Sequence, residues 1–362
     1  MSESTLNPIQ QAIEESALLK EREYEIRKNK VDIQHQELTE RLAKKKAFGS
    51  LPIGKNIRER SDKLIIENEE YIKLAKGAVT FLGMDVFKDK VALFPRNIIL
   101  IGAETGTGKS TTCANFIRSY LKEGRRVLIV TNEENRTDIL NRVIFLNKGW
   151  VYSNHDEITE EQLVECKRLY PILMQRIEII DDMFNGIGGT TTTLEGIVSI
   201  YKTLKEQAAA GEKPYDAVLI DYIQNIRTSV DAPSLAQWQV LQRLGSFIDN
   251  FKGEYNAPTI LFSQLKAATE ANGSYKERIE GYKAISNHAT TAMEVKMDRE
   301  NLRTEWIFRK NRFKDAVGIS VITGYDRGRY VEYNQEFMNV VRLKNDAKKH
   351  KELLSKTFNK KE

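Results

Sequence analysis

Residues 97–116 read NIILIGAETGTGKSTTCANF, and their order governs how the rest of the chain is interpreted. Ile98–Ile101 is a short apolar run, rich in β-branched residues, of the kind that forms a buried strand. It gives way to small residues and then to Gly-Lys-Ser-Thr, which opens a helical stretch. A strand that turns through glycine into a helix aims several backbone N–H groups and the positive end of a helix dipole at one point, where an anion is stabilised. Gly106 and Gly108 let the backbone turn those N–H groups toward phosphate oxygens. Lys109 is placed for the β- and γ-phosphates of a nucleotide, and the Ser110 hydroxyl for Mg²⁺. The expected nucleotide contacts are Ala103, Glu104, Thr105, Gly106, Thr107, Gly108, Lys109, Ser110 and Thr111, with ATP and Mg²⁺ as ligands. The strict GxxxxGK[ST] pattern begins with glycine, and this chain has Ala103 there, a difference of one methyl group.

Outward from this motif, short apolar runs alternate with helical ones, the signature of an α/β fold with a mostly parallel central sheet. Strands are predicted at Ile98–Ile101, Val127–Thr131, Ile177–Ile180, Ala217–Asp221, Thr259–Phe262 and Thr304–Arg309, and helices at Lys109–Glu123, Thr137–Asn147, Thr193–Ala210 and Leu235–Lys252. GISVITGYDRGRYVEYN (318–334) alternates between polar turns and reads as an antiparallel hairpin at the sheet edge.

Residues 1 to about 47 have imperfect helical spacing among dense charge, and FGSLPIGKN (48–56) is the best linker candidate. A helix over Ile57–Lys76 follows. The expected organisation is thus an α-helical N-terminal extension and linker (1–78) for oligomerisation or partner contact, an ATPase domain (79–342) and a basic tail (343–362). That tail, LKNDAKKHKELLSKTFNKKE, is lysine-rich, and RKNRFK (309–314) is also basic. Both suit phosphate contacts, although a charged run is more often simply solvated. A net charge of +5 is too small to decide between polyanion binding and solubility. With 41 % hydrophobic and 30 % charged residues, the composition is that of a folded globular protein. No apolar run approaches a membrane span, and MSESTLNPIQQAIEES lacks the features of a secretory signal, so a cytoplasmic protein without membrane association is expected. Cys113 and Cys166 lack the paired spacing of a zinc site.

Other residues carry candidate chemistry. Asp221 ends the apolar strand in YDAVLIDYIQN (215–225), where a carboxylate can hold the Mg²⁺ water shell. Glu133 and Glu134 follow the strand in RRVLIVTNEENRTDILNR (125–142). A carboxylate there can polarise the water that attacks a γ-phosphate, while two acids equally suit the start of a helix. In APTILFSQLKAA (257–268), Gln264 lies level with the other strand ends, suited to sensing the γ-phosphate or to capping. The polar stretch from Lys266 to His288, with Lys266, Lys276, Arg278 and Lys283, has the length of a functional or mobile loop. Lys310 and Arg312 share one face of the strand in EWIFRKNRFKDAVG (305–318). A guanidinium there can stabilise transition-state charge, or sit on a solvated edge.

In this order the motifs resemble those of the superfamily 4 replicative helicases, the DnaB-like group that includes phage primase-helicases and the mitochondrial Twinkle helicase, over roughly residues 79–334. The resemblance implies a RecA-like ATPase fold with Glu133 as the general base, since Arg142 follows it at the family's spacing. It also implies Asp221 and Ser110 at Mg²⁺, Gln264 as γ-phosphate sensor, Arg312 as an arginine finger given to a neighbouring subunit, and Lys310 as its companion. Lys266, Lys276, Arg278 and Lys283 would face single-stranded DNA in the hole of a homo-hexameric ring. ISNHATTAMEV (285–295) offers no counterpart to the glutamine that the family carries in a helix after its DNA loop. No primase domain precedes the ATPase part, which implies a separate primase, loader and polymerase, and a source such as a phage with the host cytoplasm as its location. An ATP-dependent replicative helicase is the expected function. A RecA-like recombinase and an ATP-switched helicase loader or replication adaptor share part of the motif set.

Overall fold

The computed structural model describes residues 69, 72–73, 78–91, 93, 97–152, 158–181, 192–212, 215–229, 235–251, 257–266, 278–279, 282–312 and 316–358. The chain separates into a unit of residues 1–77 with 121–125 and a second of 78–120 with 126–362. The candidate site belongs to the second. The helices read before residue 77 and the 48–56 linker lie outside the described residues, apart from helical backbone at Glu69, Ile72 and Lys73.

The described strands are β1 (Ile98–Glu104), β2 (Val127–Thr131), β3 (Ile177–Asp181), β4 (Ala217–Asp221), β5 (Thr259–Leu265), β6 (Thr291–Asp298), β7 (Arg303–Asn311), β8 (Ser320–Asp326) and β9 (Arg329–Glu332). They form one sheet in the order β3-β2-β4-β5-β1-β6-β7-β8-β9. Pairing is parallel from β3 to β6 and antiparallel from β6 to β9. β2 and β4 are buried along their whole length and β1 up to its last residue, which is why their sequences are continuous apolar runs.

Helices α1 (Lys109–Lys122), α2 (Arg136–Lys148), α3 (Glu160–Met174), α4 (Leu194–Ala209), α5 (Gln237–Phe251), α6 (Tyr282–Ser286) and α7 (Gln335–Phe358) connect or follow the strands. Their starts are set by side chains that satisfy free N–H groups. Asn135 accepts from Asp138 N at 2.9 Å and Thr193 from Gly196 N at 3.1 Å, while Thr159 and Gln162 form a reciprocal capping box. Gly149 ends α2 in the left-handed region at φ 74°, a conformation that a side chain would strain.

From residue 98 onward the expected strands and helices, and the hairpin at the edge, are all present. Three features differ from the sequence reading. α3 was not anticipated, because it contains Pro171 and its sole fully buried side chain is Cys166. β6 occupies a segment for which no strand was predicted, and α6 before it is only five residues long. α7 runs unbroken across residue 342, so the expected start of a separate tail falls inside a helix.

Candidate functional site

The parallel register brings the carboxyl ends of β1, β5, β4 and β2 to one end of the sheet. Ala103 lies beside Gln264, and Thr131 beside Asp221. Ligands of open α/β sheets bind at this end.

β1 extends through Glu104, so the turn proper is Thr105–Gly108, followed at once by α1. Gly106 and Gly108 have φ of 76° and 93°, values that L side chains adopt only with strain. A Cβ on Gly108 would also sit 3.0 Å from the Met297 side chain. Ala103, by contrast, is a buried strand residue paired with Gln264 on one side and Val295 on the other, outside the set of positive-φ residues. Its methyl group is therefore compatible with the turn. Lys109 is buried, with its ammonium 5.0 Å from the centre of the Tyr222 ring. Asn115 of α1 donates to the Gly328 carbonyl at 2.7 Å, and Thr112 shares a 2.8 Å hydrogen bond with the Tyr330 hydroxyl. These contacts fasten the turn's helix to the β8–β9 hairpin.

Asp221 is 3 % exposed, and its Oδ1 has no hydrogen-bond partner. Burial, reinforced by Glu133 and Glu134 and opposed by Lys109 and Arg142, pushes its pKa up to about 7. A buried carboxylate with an unused oxygen fits a cation. Oxygen ligands of this kind suit Mg²⁺, which is held by few protein groups together with phosphates and water. Among the described residues no cluster of three or more His, Cys, Asp or Glu forms a self-contained metal cage.

The turn after β2 is folded by the Thr131 hydroxyl, which accepts from Glu133 N at 3.3 Å and Glu134 N at 3.2 Å. Both glutamates precede the helix cap at Asn135, and the first turn of α2 carries Asp138. Glu134 is bound to Arg142 at 2.8 Å, whereas Glu133 is exposed. Asn132 spans the gap to the next strand. Its side chain donates to the Tyr222 carbonyl at 3.1 Å and accepts from Tyr222 N at 3.2 Å, and its own N–H donates to the Asp221 carbonyl at 3.0 Å. The sequence reading missed this residue, which locks the Asp221 turn to the Glu133 turn.

Gln264 Nε2 donates to Thr105 Oγ1 at 2.5 Å, so this side chain already touches the phosphate-type turn. Ser263 is fully buried and accepts from Gln224 Nε2 at 2.6 Å, and Gln224 also donates to the Gln264 carbonyl and accepts from Gln264 N. Arg299, also unanticipated, donates to the Gly106 carbonyl at 2.6 Å. Only the three-dimensional return of β6 to β1 reveals it.

Of the residues expected to meet DNA, Lys266 is exposed at the end of β5. Lys276 lies outside the described residues, and Lys283 belongs to the backbone of α6. Arg278 departs from expectation. It is buried, paired with Glu294 at 2.8 Å and with Glu104, so its guanidinium is engaged by protein carboxylates and does not face a solvent-side strand.

Lys310 and Arg312 do share a face. Both donate to the Asn287 carbonyl, at 3.3 and 2.6 Å, and Lys310 also to that of Ser286. They lie at the other end of the sheet. Arg312 N donates to the Thr290 carbonyl at 2.9 Å, and Thr290 N to the Ile98 carbonyl at 2.7 Å, which is the start of β1. β1 has seven residues, at roughly 3.3 Å each, so the sheet alone separates Arg312 from the turn in its own chain by about 20 Å. Two open clefts of about 440 and 470 Å³ flank α4, and neither includes a residue of the turn.

A family model described as the DnaB-like helicase C-terminal domain matches residues 84–279, more than half of the chain. The chain belongs to this DnaB-like helicase family. Its members are replicative helicases dependent on a nucleoside triphosphate. Among solved structures the chain is similar to an isolated ATPase domain, with a TM-score of 0.57 and 16 % identity, over 75 % of this chain and 98 % of that one. It is also similar to a DnaB-like replicative helicase whose structure was described with its interactions with primase, at TM-score 0.56 and 16 % identity, over 91 % and 81 %. Identities this low speak to the fold, which is that of the RecA-like ATPase domains. A comparison with curated proteins finds no match. Among the described residues no helix is long and apolar enough to cross a membrane.

Proposed function

We propose that this DnaB-like chain is the motor subunit of an ATP-driven DNA helicase, a homo-hexameric ring that translocates on single-stranded DNA and unwinds duplex. The observation that carries this reading is that two groups of residues lie at opposite ends of one sheet. The Thr105–Ser110 turn, Asp221, Glu133 and Gln264 gather at the carboxyl end, and Lys310 and Arg312 sit beside residue 290 at the other. A closed ring of identical chains brings one copy's Arg312 to the next copy's turn at every interface.

In this reading the N–H groups of Thr105 to Thr111, with Lys109, hold the triphosphate, and Ser110 and Asp221 hold Mg²⁺. The bound ion would offset charge between the phosphates. Glu133 accepts the proton of the attacking water, and Gln264 reports the γ-phosphate to the turn through Thr105. Arg312 and Lys310 of the adjacent copy balance the charge that develops on the transferred phosphoryl group. Lys266, Lys276 and Lys283 meet DNA phosphates. Residues 1–78 hold neighbouring copies together, and a separate primase, loader and polymerase complete the replication machinery.

The test is unwinding of a forked duplex by the purified chain with Mg²⁺ and ATP, alongside electron microscopy of the assembly. Closed rings and strand separation support the proposal. Helical filaments would point to strand exchange, and ATP binding without strand separation to a loader or adaptor.

A further inference from the structure

All three guanidinium nitrogens of Arg278 donate within the protein. Nε donates to the Lys266 carbonyl at 3.0 Å, Nη1 to Glu294 Oε1 at 2.8 Å and Nη2 to Glu104 Oε1. Lys266 N donates back to the Arg278 carbonyl at 2.9 Å, so the two residues clasp each other in both directions at the neck of the 267–277 segment.

The three partners differ in character. Glu294, on β6, is 1 % exposed, and its other oxygen accepts from Arg309 Nε at 3.0 Å. A carboxylate between two guanidiniums, away from water, is a structural anchor whose disruption leaves buried charge unpaired. Glu104 is the last residue of β1. Its carbonyl accepts from Thr107 N at 3.2 Å and Thr107 Oγ1 at 2.6 Å, so its backbone is part of the phosphate-type turn. Its side chain is 40 % exposed where it meets Arg278. One end of Arg278 is therefore fixed in the core, and the other touches the carboxylate of the residue that leads into the phosphate-type turn. The planar fork reaches both carboxylates and the Lys266 carbonyl from three separate nitrogens, whereas an ammonium donates from a single one.

We propose that Arg278 is a positioning residue that couples the phosphate-binding turn, through Glu104, to the neck formed with Lys266, so that affinity for a DNA strand depends on nucleotide occupancy. The inference rests on the helicase reading above. A shift of Glu104 when the turn closes on phosphates pulls on Nη2, and rotation of the fork about its Glu294 anchor moves the Lys266 carbonyl bonded to Nε. Coupling of this kind is reciprocal, since DNA held at Lys266 must change nucleotide affinity by the same factor.

The experiment measures the affinity of the full chain for a fluorescent oligo-dT with and without Mg²⁺ and a non-hydrolysable adenosine triphosphate analogue. It also measures the affinity for the analogue with and without oligo-dT. The ratio of DNA affinities defines the coupling factor, of order 5- to 150-fold in coupled systems. Glu104→Gln neutralises the outer partner, replacing the charge-assisted contact by a weaker one to an amide oxygen, and leaves the Arg278–Glu294 anchor in place, so folding is preserved. Its coupling factor is expected to fall at least about 5-fold, and equally in both directions of measurement. Arg278→Lys, which keeps a charge beside Glu294 but not the fork, is expected to show the same fall. A purely structural Arg278 would change the two affinities without changing their ratio. Wild-type coupling retained in full by Glu104→Gln overturns the inference alone. A wild-type chain that binds the analogue with no effect on oligo-dT overturns the helicase reading and the inference together.

Discussion

Arg142 donates to Glu134 Oε1 at 2.8 Å and lies over the Tyr152 ring at 4.9 Å. The pair fastens Glu134 to α2, whereas the adjacent Glu133 is exposed. If Glu133 is the general base, Glu133→Gln lowers DNA-stimulated phosphate release by about 10²-fold or more. Glu134→Gln loses one partly exposed ion pair, and its turnover stays within about tenfold of the parent, since such a pair contributes roughly 1 kcal/mol. Steady-state phosphate release decides the matter, and a larger loss in Glu134→Gln would reverse the assignment.

Arg312 sits about 20 Å along the sheet from the turn of its own chain, which makes complementation informative. Arg312→Ala and Glu133→Gln are each expected to be nearly inactive, the former by about 10³-fold or more. Mixing the two, with time for subunit exchange, creates interfaces that pair an intact Glu133 with an intact Arg312. ATPase activity should then reappear. A mixture as inactive as its components would show that Arg312 does not act across an interface.

Lys310 offers a test by pH. Burial, together with the neighbouring Arg312, lowers its pKa to about 8, against the opposing pull of Asp249. Between about pH 8 and the ordinary lysine value of 10.5 the folded chain binds fewer protons than the unfolded one. The contribution of this group to stability therefore rises with pH across that window. If Lys310 acts on the phosphoryl group as proposed, catalysis moves the other way, because a neutral amine cannot balance phosphoryl charge. ATPase activity should decline as pH rises through about 8, and Lys310→Arg should shift that decline upward. An unchanged profile in Lys310→Arg would exclude Lys310 as its source.

Ala103 and Gly108 make opposite predictions from one motif. Ala103→Gly should leave nucleotide affinity unchanged and lower stability by about 0.5–1 kcal/mol, the cost of glycine inside a strand. Gly108→Ala forces a side chain into φ 93° and against Met297, and nucleotide affinity should drop at least about tenfold, the effect of roughly 1.4 kcal/mol. Calorimetric titration with a nucleotide analogue and denaturant melts read both quantities. Equal effects of the two substitutions would contradict this account of the turn.

The parallel half of the sheet was legible because β1, β2 and β4 are buried on both faces and so read as unbroken apolar runs. β6 was not, because TAMEVKMD places Glu294 in the core, and a charge in a strand looks like a surface until Arg278 and Arg309 are seen around it. Arg278 itself was read as a solvent-facing cation for the same reason. Its partners are distant in sequence, and ion pairing between separated elements leaves no local pattern. α3 was hidden by Pro171 and by Leu163, Val164, Ile172 and Met174, which remain exposed in the described chain. The residues that hold the site in shape, Asn132, Gln224 and Arg299, bond to groups distant in sequence, so their identities carry no motif. The nucleotide turn could be read because its chemistry is local, with glycine torsions and a helix start packed into a few consecutive positions.

The reversal of chain direction between β6 and β7 has a consequence for dosage. An enzyme with a complete site works at the same rate per molecule however far it is diluted. If the site is completed between copies as proposed, a chain that carries its phosphate turn at one end and its guanidinium at the other does not. Specific activity should collapse below the concentration at which copies associate, and an excess of inert copies should poison it. The abundance of the protein would then act as a control on its turnover, with no regulatory ligand required.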